Sequence, residues 1–153
     1  MRVRVQENRH SRSDVEFIPD DAGDYRDQLL DIIQRMSSGY WPHIGVSVGW
    51  YPLIVNANEQ LDALCHNYKI TSLTKSNGTI QYFFRLPSYD DDELVKKCIA
   101  IVVKAQELAR KTCEVCGEMG SPDKSGRFVF CETHTKKVVR RKRTSNDEVQ
   151  RDN

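Results

Sequence analysis

From Tyr25 the apolar positions of the chain recur at intervals of three and four. Tyr25, Leu29, Ile32, Ile33 and Met36 fall on one face, while Asp27, Asp31 and Arg35 fall mostly elsewhere, a spacing that predicts an amphipathic helix. Asp21 or Asp24 stands where a helix cap belongs, and Gly39 where the helix would end. Residues 40–49 form a connection broken by glycine and proline, with strand-like alternation at Ile44, Val46 and Val48. A second helix is expected from Pro52, which suits the first helical position, with Leu53, Ile54, Ala57, Leu61 and Leu64 as its buried stripe. The period then changes to two. Tyr68, Ile70 and Ser72 alternate with Lys69 and Thr71, Asn77-Gly78 supplies a hairpin turn, and Ile80, Tyr82, Phe84 and Leu86 alternate with Thr79, Gln81, Phe83 and Arg85. After Pro87-Ser88, the acids Asp90, Asp91, Asp92 and Glu93 open a long helix, where the helix dipole favours negative charge. Its apolar face is Leu94, Cys98, Ile101, Val102, Ala105 and Leu108.

The order helix, helix, hairpin, helix predicts an α+β body over residues 21–112. Residues 1–20 have no sustained period. Val3 and Val5 alternate with arginines, which permits a short strand, but the segment reads as a flexible arm. Residues 113–135 carry a cysteine and histidine cluster, and residues 136–153 a basic, disordered tail. Hydrophobic residues are 39% and charged residues 29% of the chain, an ordinary mixture that supports one modest core. No apolar run reaches transmembrane length and no secretory leader pattern opens the chain, so a cytoplasmic protein is expected.

The five cysteines are an odd number, and three of them lie within 19 residues of one another beside a histidine. That is unlike a secreted disulfide framework and like metal ligation in a reducing compartment. Cys65 and Cys98 stand apart, in apolar-periodic segments, and read as small core residues. Cys113 and Cys116 form a Cys-x-x-Cys pair, and Cys131 and His134 a Cys-x-x-His pair. Two intervening residues let both side chains converge on one ion from a tight turn, and four such ligands make the tetrahedral shell that structural zinc prefers. Cys113, Cys116, Cys131 and His134 are therefore the expected metal ligands. A shell closed by four protein groups leaves no position for water or substrate, so the expected role of zinc is to staple a segment too poor in apolar groups to fold alone.

The net charge of +1 is unevenly spread: −1 over residues 1–112, −2 over 113–135 and +4 over 136–153. Three thiolates with Zn²⁺ add a further negative charge to the knuckle, which makes it a poor surface for phosphate. The tail carries six basic residues in eight, Lys136, Lys137, Arg140, Arg141, Lys142 and Arg143, a density that neutralises phosphates in a salt-dependent way. These six are the candidate nucleic-acid contacts. Catalytic signatures are absent: there is no P-loop, Gly-x-Ser-x-Gly or His-Glu-x-x-His, His43 and His66 have no motif partner, and of the candidate carboxylates, Asp20 with Asp21 and Asp90 to Glu93, the second set serves a helix start. The aromatic residues Trp41, Trp50, Tyr51, Phe83 and Tyr89 are a possible contact surface, with Phe83 expected to pack under a helix.

Gly49-Trp50-Tyr51-Pro52-Leu53-Ile54, Tyr68-Lys69-Ile70, the stretch from Lys75 to Tyr82, and the Cys-x-x-Cys-Gly and Cys-x-x-His pairs together resemble a group of small uncharacterised bacteriophage and bacterial proteins, often actinobacterial. The resemblance spans roughly residues 40–135. It implies a Gly-Trp helix opening, a Lys-bearing strand, a Gly-led second strand and a terminal zinc knuckle, and it brings no activity with it. The chain departs from the group's charged Lys-Glu-Lys-Phe-Gly-type stretch, reading Thr74-Lys75-Ser76-Asn77-Gly78-Thr79-Ile80-Gln81 instead. The expectation is a non-enzymatic, zinc-stabilised binding protein whose basic tail engages nucleic acid, as a small phage or bacterial regulator acting in the host cytoplasm if phage-encoded. The alternative is a protein–protein module, such as a phage inhibitor of a host machine. A nuclease-like enzyme using Asp20, Asp21 or His43 stands third.

Overall fold

The computed structural model describes residues 12–36 and 41–138, so the arm up to residue 11, Gly39 and the tail beyond residue 138 lie outside the described residues. The described chain is mixed α+β. A short turn of helix α1 (Arg12–Val15) precedes α2 (Arg26–Gln34) and α3 (Tyr51–Leu64). Strands β1 (Lys69–Ser76) and β2 (Thr79–Arg85) form a two-stranded antiparallel sheet, and α4 (Asp92–Ala109) follows. A second, minimal sheet pairs β3 (Ser121–Pro122) with β4 (Val129–Phe130). Residues 132–138 are helical. No described helix is long and apolar enough to cross a membrane.

The helical periodicities translate directly into burial. Leu29, Ile32 and Ile33 of α2, Ile54, Ala57 and Leu61 of α3, and Cys98, Val102, Ala105 and Ala109 of α4 all enter one core cluster. Cys98 is buried as expected, and burial raises its thiol, with Cys65 adding to the shift. Leu64 differs: it ends α3 at the surface, because the chain leaves the helix at Cys65 before the last turn is covered. Neither Asp21 nor Asp24 caps α2; Asp21 accepts a 2.5 Å hydrogen bond from the hydroxyl of buried Tyr51 instead. Asp91 does cap α4, accepting from the backbone N–H of Leu94 at 3.1 Å.

The hairpin turns at Asn77 and Gly78, both with positive φ (49° and 70°), the geometry whose twist matches paired strands. Its second strand alternates as expected at Ile80 and Tyr82. The first does not. A bulge between Ile70 and Ser72 adds Thr71 to one side of the ladder, so Leu73, and not Ser72, follows Ile70 into the core. Phe83 pairs with Ser72 on the outer face and is 55% exposed; among the described residues no helix packs over it, contrary to the expectation from the sequence. The outer edge of β1 is met by the connection before α3, where Gly45 donates to the Leu73 carbonyl at 2.9 Å and Ile44 and Val46 turn inward.

A polar network ties α2, α3 and the hairpin together beneath this layer. Tyr68 donates to Asn58 and lies 2.9 Å from the Tyr82 hydroxyl, while Asn58 donates to Asp31 at 2.8 Å. Burial is the main cause that pushes the Tyr68 phenol up to about 12. Arg35 lies 4.9 Å over the Tyr68 ring, donates to the His66 carbonyl at 2.7 Å and pairs with Asp62. Every polar side chain on this route has at least one partner, but the buried Arg35 Nε makes no hydrogen bond and lies 3.6 Å from an Asp31 carboxylate oxygen.

Candidate metal centre

Two elements bring the four predicted ligands together. The first is the turn after α4. Gly117 donates to the Cys113 carbonyl at 2.9 Å and Cys113 to the Glu118 carbonyl at 2.7 Å, which curls the chain so that Cys113 and Cys116 face one side. The second is the junction of β4 with the helix over 132–138. Thr135 donates through its backbone to the Cys131 carbonyl at 3.0 Å, so Cys131 sits at the helix start and His134 one turn along, on the same side.

The side-chain atoms of Cys113, Cys116, Cys131 and His134 all lie within 4.8 Å of one another. His134 presents Nδ1, at 3.5 Å from the Cys113 sulfur and 3.1 Å from the Cys131 sulfur, and the Cys116 and Cys131 sulfurs are 3.7 Å apart. A tetrahedral ion with metal–sulfur bonds of about 2.3 Å and a metal–nitrogen bond of about 2.0 Å has edges of about 3.8 Å between sulfurs and about 3.5 Å between sulfur and nitrogen. Two of the observed separations fall within 0.1 Å of those edges and the third is shorter. A disulfide would require about 2.0 Å between sulfurs. The group can hold a metal ion, and all four donors are of the type that suits one.

The electrostatics favour thiolate at the innermost ligand. Burial pushes the Cys113 thiol up, but the backbone N–H groups of Cys131, Cys116 and Val115 outweigh it and bring the thiol down to about 6. At Cys116 the backbone N–H of Glu118 pulls down, yet burial and the neighbouring thiols leave it raised. Crowded thiols that cannot all ionise alone are the arrangement a divalent cation relieves.

The knuckle is not a free appendage. Glu114, the residue after the first ligand, is 5% exposed and is held by Lys75 of β1, whose Nζ lies 2.5 Å from Oε1. Its other carboxylate oxygen accepts from the Val129 N–H at 3.3 Å, and its backbone N–H donates to the Val129 carbonyl at 3.0 Å. Lys75 also lies 4.3 Å over the Phe128 ring, which stacks on Phe130. Gly49 donates to the Glu114 carbonyl at 2.9 Å, and Trp50, fully buried, donates from Nε1 to the Thr112 carbonyl at 2.8 Å. A Cβ on Gly49 would sit 2.2 Å from the Cys113 carbonyl oxygen, so only glycine permits this approach. Val129, between the two ligand pairs, is fully buried in the body's core cluster.

The remaining sequence candidates are dispersed. Lys136 and Lys137 lie on the helix over 132–138; Lys137 is exposed, and Lys136 pairs at 2.6 Å with Glu132. Arg140, Arg141, Lys142 and Arg143 lie outside the described residues. Among the described residues no hydrogen bond or ion pair joins Asp20 or Asp21 to His43, whose backbone N–H contacts the Met36 sulfur. Trp50 and Tyr51 are core residues, whereas Trp41, Phe83 and Tyr89 are exposed. Sequence reasoning missed the Lys75–Glu114 pair, since a charge within a metal knuckle and one on a strand 39 residues earlier carry no local signal of meeting. It also missed the His66–Asp62 contact at 2.7 Å, formed where the chain turns just past the end of α3, which the spacing of four could have disclosed. No protein-family model, curated protein or solved structure matches the chain.

Proposed function

We propose that this chain is a non-enzymatic binding protein in which structural zinc, held by Cys113, Cys116, Cys131 and His134, orients a basic tail for nucleic acid, as in a small phage or bacterial regulator. Zinc is the ion that three thiolates and one imidazole select in a tetrahedral shell. A full set of four protein ligands leaves no open coordination position, which favours a structural role over catalysis. The observation that carries the functional reading is the placement of His134: the helix that holds it at the metal runs on into Lys136 and Lys137, and the sequence continues with four more basic residues by position 143. The attachment of Lys136 and Lys137 is thereby coupled to metal binding. The buried pairing of Glu114 with Lys75 also withdraws one of the knuckle's acids from the surface.

The test is binding of fluorescent single-stranded and duplex DNA and RNA by the zinc-loaded protein. The full chain is compared with one truncated after Thr135, at two salt concentrations. Salt-sensitive binding that disappears on truncation supports the proposal. Absence of binding at both salts sinks it. A second reading, a protein–protein module, draws on exposed Phe83 and Trp41; it calls for a partner captured by the truncated body and insensitive to salt.

A further inference from the structure

The outward side of α4 carries a pattern that neither the core nor the metal centre uses. The helix buries Cys98, Val102, Ala105 and Ala109 and packs against α3 and β2. On the exposed flank beside that stripe, Ile99 is 50% and Val103 42% exposed. They are four residues apart and so adjacent on the surface, with the small Ala100, also exposed, beside them. A lone exposed aliphatic residue is ordinary. What sets this pair apart is the order of charges on the same side: Asp92 and Lys96 precede it, Glu107 and Arg110 follow it, and all four are exposed.

That order is self-complementary in one orientation only. An antiparallel copy of α4, centred midway between Ile99 and Val103, sets each of these residues against the other type. Asp92 and Arg110 are each nine residues from that centre, about 13.5 Å along the axis. Asp92 of one copy therefore lies level with Arg110 of the second copy, and the two-fold axis repeats the pairing. Lys96 lies within one residue of level with the second copy's Glu107. A parallel copy would instead set Asp92 against Asp92 and Lys96 against Lys96. Ala100 presents only a methyl group, which allows the two backbones to approach.

We propose that α4 is the self-association face of this protein, pairing antiparallel with α4 of a second copy through Ile99 and Val103 and the reciprocal Asp92–Arg110 ion pairs. The contact is isologous, so it closes as a two-fold dimer without further growth. One face of a single helix covers less than the roughly 800 Å² per partner of a standard interface, so the dimer is weak, dissociating in the micromolar range. The inference is independent of nucleic-acid binding, because none of its residues belongs to the tail.

Sedimentation velocity on the full-length, metal-loaded, nuclease-treated chain tests it, at concentrations from about 5 to about 300 µM to bracket an interface of this size. The expected result is a reversible rise from monomer to dimer mass, with V103E raising the dissociation constant by at least about tenfold. Asp92→Arg and Arg110→Asp each weaken the dimer, and the two changes together restore it, since the pair is rebuilt with reversed sign. Circular dichroism confirms that each variant is folded. A monomer at every concentration overturns the proposal, as does a dimer indifferent to V103E, which would place the contact elsewhere. Failure of the double reversal to restore association overturns the antiparallel register.

Discussion

Replacing Gly49 by alanine should loosen the metal knuckle from the body without touching a ligand. The new Cβ would lie 2.2 Å from the Cys113 carbonyl oxygen and 2.6 Å from the Glu114 carbonyl carbon, both backbone atoms, whereas real Cβ contacts stay beyond 3.0 Å. The knuckle must therefore retreat by about 0.8 Å, because backbone cannot rotate away as a side chain can. A movement of that size stretches two hydrogen bonds past useful length: Gly49 to the Glu114 carbonyl, now 2.9 Å, and Trp50 Nε1 to the Thr112 carbonyl, now 2.8 Å. Each is worth about 1 kcal/mol net, and more where a buried donor is left without a partner. Loosened packing around Trp50 adds to this, so the expected loss is about 3 kcal/mol. For a domain of this size that lowers Tm by roughly 10 °C. Thermal denaturation of the zinc-loaded variant measures the loss, and competition with a chromogenic chelator measures metal affinity, which should weaken as well because ligand geometry and docking are linked. A variant with wild-type Tm and wild-type metal affinity would show that the close approach of Gly49 to the knuckle contributes nothing, and the reasoning would fail.

Chelating the metal at neutral pH should shift the fluorescence of Trp50 to the red, since its indole bonds the residue immediately before the first ligand; a Trp41→Phe background isolates the signal, and an unshifted emission would mean that the body keeps its packing without the ion. Lys75→Met should cost about 2 kcal/mol by leaving the Glu114 carboxylate buried without its cation, and adding Glu114→Gln should recover part of that loss. Urea denaturation of the single and double variants decides it, the opposite order of stabilities being the refuting result. Asp62 offers a pH test. Burial pushes its carboxyl up, but His66 and Arg35 outweigh that and hold it below its ordinary value. A carboxyl depressed in the folded state stabilises above its unfolded value and loses that contribution as pH falls through the folded one. Wild type should therefore exceed Asp62→Asn in stability above about pH 5, and the gap should close below about pH 4; a gap constant with pH would remove Asp62 from the account.

The sequence alone determined the main helices of the body, the hairpin and the residues of the candidate metal centre, but not the helical turn at 12–15 or the helix over 132–138, whose last residues its pattern assigns to a disordered tail. Helical spacing identified the inward faces of α2, α3 and α4, because a period near 3.6 can be buried on one side only. Asn77-Gly78 located the hairpin, since few other residue pairs accept positive φ at both positions. The doubled two-residue spacing named the four residues that the fold gathers into a group able to hold a metal ion, since each pair is brought together by its own local turn. Tertiary structure decided what no local pattern encodes. The bulge at Thr71 redirected Leu73 inward, a matter of how β1 meets β2 and its neighbours, and Phe83 stayed outside because no element among the described residues crosses the outer face of the hairpin there. The boundary drawn at Cys113 in the sequence is bridged in space by Gly49, Trp50, Lys75 and Val129. Those contacts join positions tens of residues apart, and hydrogen bonding, burial and charge pairing at such separations depend on the folded path of the chain and not on spacing along it.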